Sequence, residues 1–276
     1  MPKLLVQLSD THIRLPGQLA YGRVDTAAFL ARAVASVIAL PQAPAAVVVT
    51  GDLTDYGRAD EYAHLRTLLA PLPCPVYLLP GNHDDRDMLR RAFPEHAWLR
   101  QSGDAFLQYA VDLGGLRLVV LDTSVTKAPQ GELEAAHLEW LAAALGEASA
   151  TPTIVAMHHP PFATFVGHMD EIGLQRGARE LAAVIARHPQ VERIVCGHLH
   201  RSIQTRFAGT IAMTAPSTAH AVTLDFAADA PVEFAMEPPG YLVHAWSETG
   251  QVVSHLVYSS RYDGPFSFRD GSPTTH

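Results

Sequence analysis

Residues 3–12 read KLLVQLSDTH and residues 45–52 read AAVVVTGD. Each is a short apolar run that stops on a small polar residue and an aspartate. Continuous apolar runs of this length, bounded by turn residues, read as strands buried on both faces. The same form recurs at Pro75–Leu79 before Gly81-Asn82-His83-Asp84, at Thr153–Met157 before His158-His159-Pro160-Pro161, and at Val191–Cys196 before Gly197-His198-Leu199-His200.

Between these runs the apolar spacing turns helical. Val24–Leu40, Glu61–Leu69, Asp85–Phe93, Leu133–Leu145 and Gly177–His188 read as helices. Phe106–Leu113 and Leu116–Leu121 flank Gly114-Gly115 and read as a hairpin. Arg201–Ala215 carries two more strands around Ala208-Gly209, and Tyr241–Trp246 with Val252–Val257 reads as a closing hairpin around Glu248-Thr249-Gly250. From Asp225 to Gly240 there is no clear period, and the tail after Tyr258 reads as irregular. Buried strands alternating with amphipathic helices predict an α/β sandwich with mixed sheets.

The chain has 276 residues, 48% of them hydrophobic, and a net charge of −8. That suits one large domain, or one domain with a small appendage, divided here into residues 1–215 and 216–276. An acidic chain without a Lys/Arg run is a poor partner for duplex nucleic acid. No apolar stretch reaches the ~20 residues of a membrane span. Cys74 and Cys196 form no CxxC pair and read as free thiols. Met1–Leu8 is short and leads directly into Asp10 and His12, so removing it as a signal peptide would cut beside the chemistry. The expected location is the cytoplasm.

The Asp, Asn and His residues fall where the strands end. Asp10 and His12 follow the first run, Asp52 the second, Asn82 and His83 the third, His158 the fourth, His198 and His200 the fifth. Taken singly, each has an ordinary explanation: a turn aspartate, a hydrogen-bonded histidine, chance in a chain with 15 histidines. Jointly they share one structural position, and ligands of α/β sheets bind outside the carboxyl ends of the strands. Carboxylate, amide oxygen and imidazole suit borderline divalent metals such as Mn, Fe, Co and Zn. No cysteine is recruited, which argues against a structural thiolate zinc site.

The order DxH, GD, GNHD, H, GHxH resembles the calcineurin-like metallophosphoesterase superfamily. SDTHI, YGRVD, GDLTDYG, PGNHDD, MHHPP and CGHLH resemble its class III cyclic-nucleotide phosphodiesterases and glycerophosphodiesterases. The glycerophosphodiesterase branch is the nearer by its Tyr-Gly segment after DxH, here Tyr21-Gly22, and by a histidine twenty residues beyond GHxH, here His220. The resemblance implies a four-layer αββα sandwich and two divalent transition metals. One metal would take Asp10, His12, Asp52 and His200; the other would take Asp52, Asn82, His158 and His198. It further implies His83 as the catalytic group, Asn82, His83, Tyr21 and His220 as substrate contacts, hydrolysis of a small phosphodiester by in-line attack of metal-activated hydroxide, and a homo-oligomer, with residues 1–215 as the catalytic domain and 216–276 as a cap or oligomerisation segment packed on it. Phe162 and Phe165 lie near the same loops. Asp84 would orient a histidine or cap a helix, and His159 would point away from its neighbour His158.

Rival readings lack residues. Ser/Thr protein phosphatases carry GDxxDRG, whereas here Tyr56-Gly57 follows Asp55. Purple acid phosphatases use a tyrosine ligand after the bridging aspartate, and Tyr56 falls too late for that role. Exonucleases of the superfamily are longer. Non-catalytic scaffolds on the fold lose ligands, and here every position is filled. A phosphomonoesterase remains the alternative reaction.

Overall fold

A computed structural model describes residues 1–103, 105–247 and 250–274. In chain order its strands are β1 (Lys3–Leu8), β2 (Ala46–Thr50), β3 (Val76–Leu79), β4 (Tyr109–Asp112), β5 (Arg117–Val120), β6 (Ser124–Val125), β7 (Ala128–Glu132), β8 (Thr153–Ala156), β9 (Leu174–Arg176), β10 (Val191–Cys196), β11 (Ile203–Phe207), β12 (Thr210–Thr214), β13 (Ala221–Val222), β14 (Phe234–Ala235), β15 (Gly240–Trp246) and β16 (Val252–Tyr258). The helices are α1 (Thr26–Ile38), α2 (Ala59–Leu69), α3 (Arg86–Ala92), α4 (Ala135–Gly146), α5 (Gly167–Asp170) and α6 (Ala178–Ile185).

Two large sheets result, in the orders β16-β15-β1-β2-β3 and β11-β12-β10-β8-β5-β4. β1, β2 and β3 run parallel, as do β5, β8, β10 and β12, and antiparallel strands close the edges. The alternation of a strand divides its side chains between two cores. Leu118, Val120, Ile154 and Ala156 join β1, β2 and β3 residues in the core between the sheets. Val119, Val155, Met157 and Ile194 point the other way, onto Leu138, Leu141, Leu181 and Val184 of α4 and α6. Leu30, Val34, Tyr62 and Leu65 of α1 and α2 cover the first sheet. The layers are therefore helix, sheet, sheet, helix, and the αββα expectation holds.

Most element boundaries fall within a few residues of the sequence reading. The C-terminal strands β15 and β16 do not stand apart from the first sheet: β15 pairs antiparallel with β1 from Lys3↔Trp246 to Gln7↔Leu242. Glu248 and Thr249, the turn expected between them, lie outside the described residues. A small sheet, β6-β7-β9, was not legible in the sequence, because Ala128–Glu132 (APQGE) has no apolar alternation.

Candidate metal centre

Asp10, His12, Asp52, Asn82, His158, His198 and His200 all converge at the carboxyl ends of β1, β2, β3, β8 and β10. The two parallel sheet cores bring these ends together: Asp10 N–H donates to Gly51 O at 3.1 Å and His12 N–H to Asp52 O at 2.9 Å. His198 N–H donates to Asp10 Oδ1 at 2.9 Å, tying the first sheet to the second. Asp10, His12, Asp52, His158, His198 and His200 are buried.

The backbone there is strained. Asp10, His12, Asp52, His198 and His200 all adopt positive φ, between 42° and 71°. Non-glycine residues reach that region at a cost and persist there only when the surroundings over-determine them. The spacing of the residues gave no sign of this. Glycines allow the close approach. A Cβ on Gly51, itself at φ +87°, would lie 2.3 Å from His158 Nδ1, and one on Gly81 would lie 2.1 Å from Asp52 Oδ1.

The donor atoms form two groups joined by one carboxylate. Oδ2 of Asp52 is 3.5 Å from His12 Nε2, and its Oδ1 is 3.4 Å from His158 Nε2. On the first side His12 Nε2 lies 3.1 Å from His200 Nε2, and His200 Nε2 lies 3.6 Å from Asp10 Oδ1. On the second side the Asn82 amide oxygen is 3.1 Å from both His158 Nε2 and His198 Nδ1.

These contacts fit cations better than they fit one another. His200 Nδ1 faces the carbonyl of His220 at 3.2 Å, and His158 Nδ1 faces that of Thr50 at 2.8 Å. A ring nitrogen facing a carbonyl carries the hydrogen, so in the neutral rings each Nε2 presents a lone pair. His12 Nδ1 faces Asp55 Oδ1 at 3.4 Å, which sets its Nε2 the same way. Lone pairs of His12 and His200 then oppose each other, and that of His158 opposes an amide oxygen. Asp10 Oδ2 is buried with no partner. Buried acceptors aimed at acceptors are costly unless a positive charge stands between them. In the metal-free chain a proton does this in part: burial works against a charged His158, but Asp52 and Asp10 outweigh it and push the group up to about 9. The same cluster holds Asp52 well below the usual carboxylate range against the opposing effect of burial, His158 contributing most.

His83 sits at the rim with its side chain 35% exposed. Its N–H donates to Asp52 Oδ1 at 3.0 Å, and its Nδ1 faces the Asp55 carbonyl at 2.9 Å, so Nε2 is the free nitrogen. His220 is buried within 4.6 Å of the His200 ring and 5.7 Å of the His12 ring. Burial, then His12, lowers it to about 3, so it is neutral. Tyr21 is exposed and stands edge-on to His220 at 5.3 Å.

Several neighbours take parts other than those expected. Asp84 neither orients a histidine nor caps a helix: it accepts from Leu53 N–H, Thr54 N–H, Gly81 N–H and the Tyr62 hydroxyl, clamping the GDLT loop to the GNHD loop. Asp85 is the cap of α3. His159 does not turn away: its ring packs 4.6 Å from His198, with Nδ1 facing Thr123 Oγ1 and Nε2 facing Pro129 O, which leaves no nitrogen for a metal. Tyr56 is exposed beneath the guanidinium groups of Arg14 and Arg58. Phe165 is exposed, and Phe162 packs against the second core instead of the centre. Met169 and Ile172 of the same segment line the cavity over the metal-type residues in their place. Sequence reasoning missed Asp55. It backs His12 and accepts from Arg14 Nη1 at 2.9 Å, and those two neighbours hold it below the usual carboxylate range although burial opposes this. Its signal was its position three residues after Asp52 in the same loop.

The chain is 36% identical over 270 residues to a glycerophosphodiester phosphodiesterase of Enterobacter lignolyticus, covering 96% of this chain and 94% of that one. It is 36% identical over 269 residues to a "Probable cyclic nucleotide phosphodiesterase" of Rhodopseudomonas palustris, covering 96% of each. A dimetal phosphatase from Danio rerio shares the fold, with a TM-score of 0.63 at 16% identity over 94% of this chain and 100% of that one. The family model for calcineurin-like phosphoesterases matches residues 4–202, the span that holds all seven metal-type side chains, and the chain belongs to that family.

Proposed function

We propose that this protein is a metal-dependent phosphodiesterase acting on small diesters, glycerophosphodiesters or cyclic nucleotides. The observation that carries the reading is Asp52, whose two oxygens face two separate sets of buried donors. Asp10, His12, Asp52 and His200 would hold one divalent cation, and Asp52, Asn82, His158 and His198 the other. The mixed oxygen and nitrogen donors suit Fe, Mn, Zn or Co. When bound, such a pair supplies positive charge to the phosphoryl oxygens and lowers the pKa of water.

The residues around the pair then divide the remaining work. Asn82 and His83 meet the phosphoryl group at the rim. His83, whose Nδ1–H is held by the Asp55 carbonyl, directs Nε2 to the leaving oxygen and, as the imidazolium, gives it the Nε2 proton and becomes neutral imidazole. His220, kept neutral by burial, and Tyr21 line the same cavity and contact the substrate there. Asp55 fixes the His12 ring.

Residues 216–276 would serve as the cap and oligomerisation segment. The outer strand β16 ends the first sheet with Val253, Leu256 and Tyr258 exposed, an edge suited to a second copy of the chain. Among the described residues no helix is long and apolar enough to cross a membrane. Cys74 and Cys196 are free, which suits the reducing cytoplasm.

The test is turnover of bis(p-nitrophenyl) phosphate against p-nitrophenyl phosphate by metal-loaded protein. Preference for the diester, with a ~10²-fold or larger fall in kcat for His83→Ala at unchanged metal content, supports the reading. Preference for the monoester, or an unaffected His83→Ala variant, contradicts it.

A further inference from the structure

Behind the metal-type residues, a row of buried polar side chains crosses an otherwise apolar core. Gln7, Ser9, Thr50 and His244 are all fully enclosed, and none is a metal-type residue. Gln7 stands between Val48 of β2 and Leu242 of β15 in the first sheet. A buried amide is costly among such neighbours unless its groups are bonded, and those of Gln7 are. Its Nε2 donates to Thr50 Oγ1 at 3.0 Å and to the Cys196 carbonyl of the second sheet at 2.9 Å. Its Oε1 faces His244 Nε2 at 3.1 Å. A carbonyl can only accept, so Cys196 fixes which end of the amide faces it.

That amide sets the direction of the hydrogens on both sides. Oε1 can only accept, so His244 carries its hydrogen on Nε2. Burial, then Arg193, lowers His244 to about 3, so the ring has one hydrogen, and its Nδ1 accepts from the Ser254 hydroxyl of β16 at 2.8 Å. On the other side Thr50 Oγ1 receives a hydrogen from Gln7 and passes its own to Ser9 Oγ at 2.7 Å, a closer contact than the 3.4 Å to the Leu8 carbonyl. Ser9 must then donate onward. One acceptor is the Thr50 carbonyl at 3.4 Å, which already takes the His158 Nδ1 hydrogen at 2.8 Å. The other is Asp10 Oδ2, buried and otherwise without a partner. Ser9 Oγ and Asp10 Oδ2 crowd one point, 2.3 and 2.9 Å from where a Cβ on Gly197 would stand. Burial raises the Asp10 carboxyl to about 6; His158 leads the groups that oppose this, and the Ser9 hydroxyl is among them.

We propose that Gln7 is a positioning residue for the first cation position: it directs a hydrogen-bond chain, Ser254–His244–Gln7–Thr50–Ser9, that ends with a hydrogen on Asp10 Oδ2. Oδ1 of Asp10 is the oxygen that faces His200 Nε2. A hydrogen on the outer oxygen holds the plane of the carboxylate and leaves Oδ1 for the cation. The second position meets the chain only through the backbone carbonyl of Thr50, which no side-chain change removes. The inference rests on the two-cation reading.

The experiment is a Mn(II) titration of metal-free protein, read by the electron paramagnetic resonance signal of the free ion. His200→Ala and Asn82→Ala assign the two binding steps, since each removes a donor from one position. Gln7→Met takes away both amide hydrogens at nearly constant length, and Ser9→Ala takes away only the last hydrogen of the chain. Each should weaken the first-position step by about 10–100-fold and leave the second within about threefold. Equal weakening at both positions, as a general loosening of the two sheets would give, overturns the proposal, and so does an unchanged first step in Ser9→Ala. Either result leaves the two-cation reading intact. If Gln7→Met does not fold, Ser9→Ala decides alone. A wild type that takes up no second Mn(II) overturns the two-cation reading itself, and this inference with it.

Discussion

Substituting Gly81 by alanine should disable the centre without replacing any of the residues that would hold metal. The added Cβ would lie 2.1 Å from Asp52 Oδ1, 2.3 Å from Asp52 N and 2.8 Å from Asp52 Cγ. Ordinary contact begins near 3.4 Å, so the carboxylate and its backbone would have to retreat by roughly 1.3 Å. A functional constellation tolerates about 0.5 Å, and a displacement near 1 Å costs on the order of 10²-fold in rate. Overpacking adds a stability loss of about 1–3 kcal/mol. Because Asp52 faces both donor groups, both cation positions should weaken together. The assay is kcat/KM on bis(p-nitrophenyl) phosphate, metal content after dialysis, and Tm. Gly146→Ala is the control, since nothing lies within 4 Å of its added Cβ at the end of α4. A Gly81→Ala protein with full metal content and a rate within twofold of wild type would refute the packing argument.

Other outcomes follow from the groups around the centre. Asp55→Asn removes the charge behind His12 and should weaken metal affinity by about 10–100-fold, measured by competition with a chelator. The metal-free protein should bind its cations more weakly below pH 9, because His158, raised to about 9, must first lose a proton; a pH titration of affinity reads this. Acid should destabilise the fold through histidines buried in the neutral form. His220 and His244 are each lowered to about 3 by burial, and His159 lies well below its usual range. As pH falls below about 6.5 the unfolded chain takes up protons that the folded one refuses, so stability drops by up to ~1.4 kcal/mol per pH unit for each such group until the folded value is reached. His244, between Gln7 Oε1 and Ser254 Oγ, is none of the metal-type residues, so His244→Gln should make the slope of urea stability against pH shallower by one such increment. An unchanged slope would contradict that assignment.

The layers and the site's position were legible because buried parallel strands have a distinctive composition and because each ends on a chemically unusual residue. The continuous runs Lys3–Leu8, Ala46–Thr50 and Val191–Cys196 fold as strands within a residue or two of their reading. What escaped was whatever depends on local backbone or on polar partners brought in from elsewhere. Left-handed φ at Asp10 or His200 could not be read from composition: Asp and His are enriched there among non-glycine residues, yet only a small share of either adopts it. Asp84 and Asp85 are adjacent and chemically alike, yet one ties two loops together and the other caps α3; only the orientation of their side chains separates them. The β6–β7 hairpin is short and polar, so it left no apolar pattern to read.

The central claim, a bridging Asp52 between two catalytic cations, is tested most directly by counting metals and turnover together in wild type and Asp52→Asn. Purified wild type, loaded and dialysed, should carry two transition-metal ions per chain and lose hydrolysis of bis(p-nitrophenyl) phosphate when a chelator removes them. Asp52→Asn should lose occupancy at both positions and fall by at least ~10²-fold in kcat/KM. Full turnover by metal-free wild type, or an Asp52→Asn protein that keeps both ions and its rate, would contradict the account.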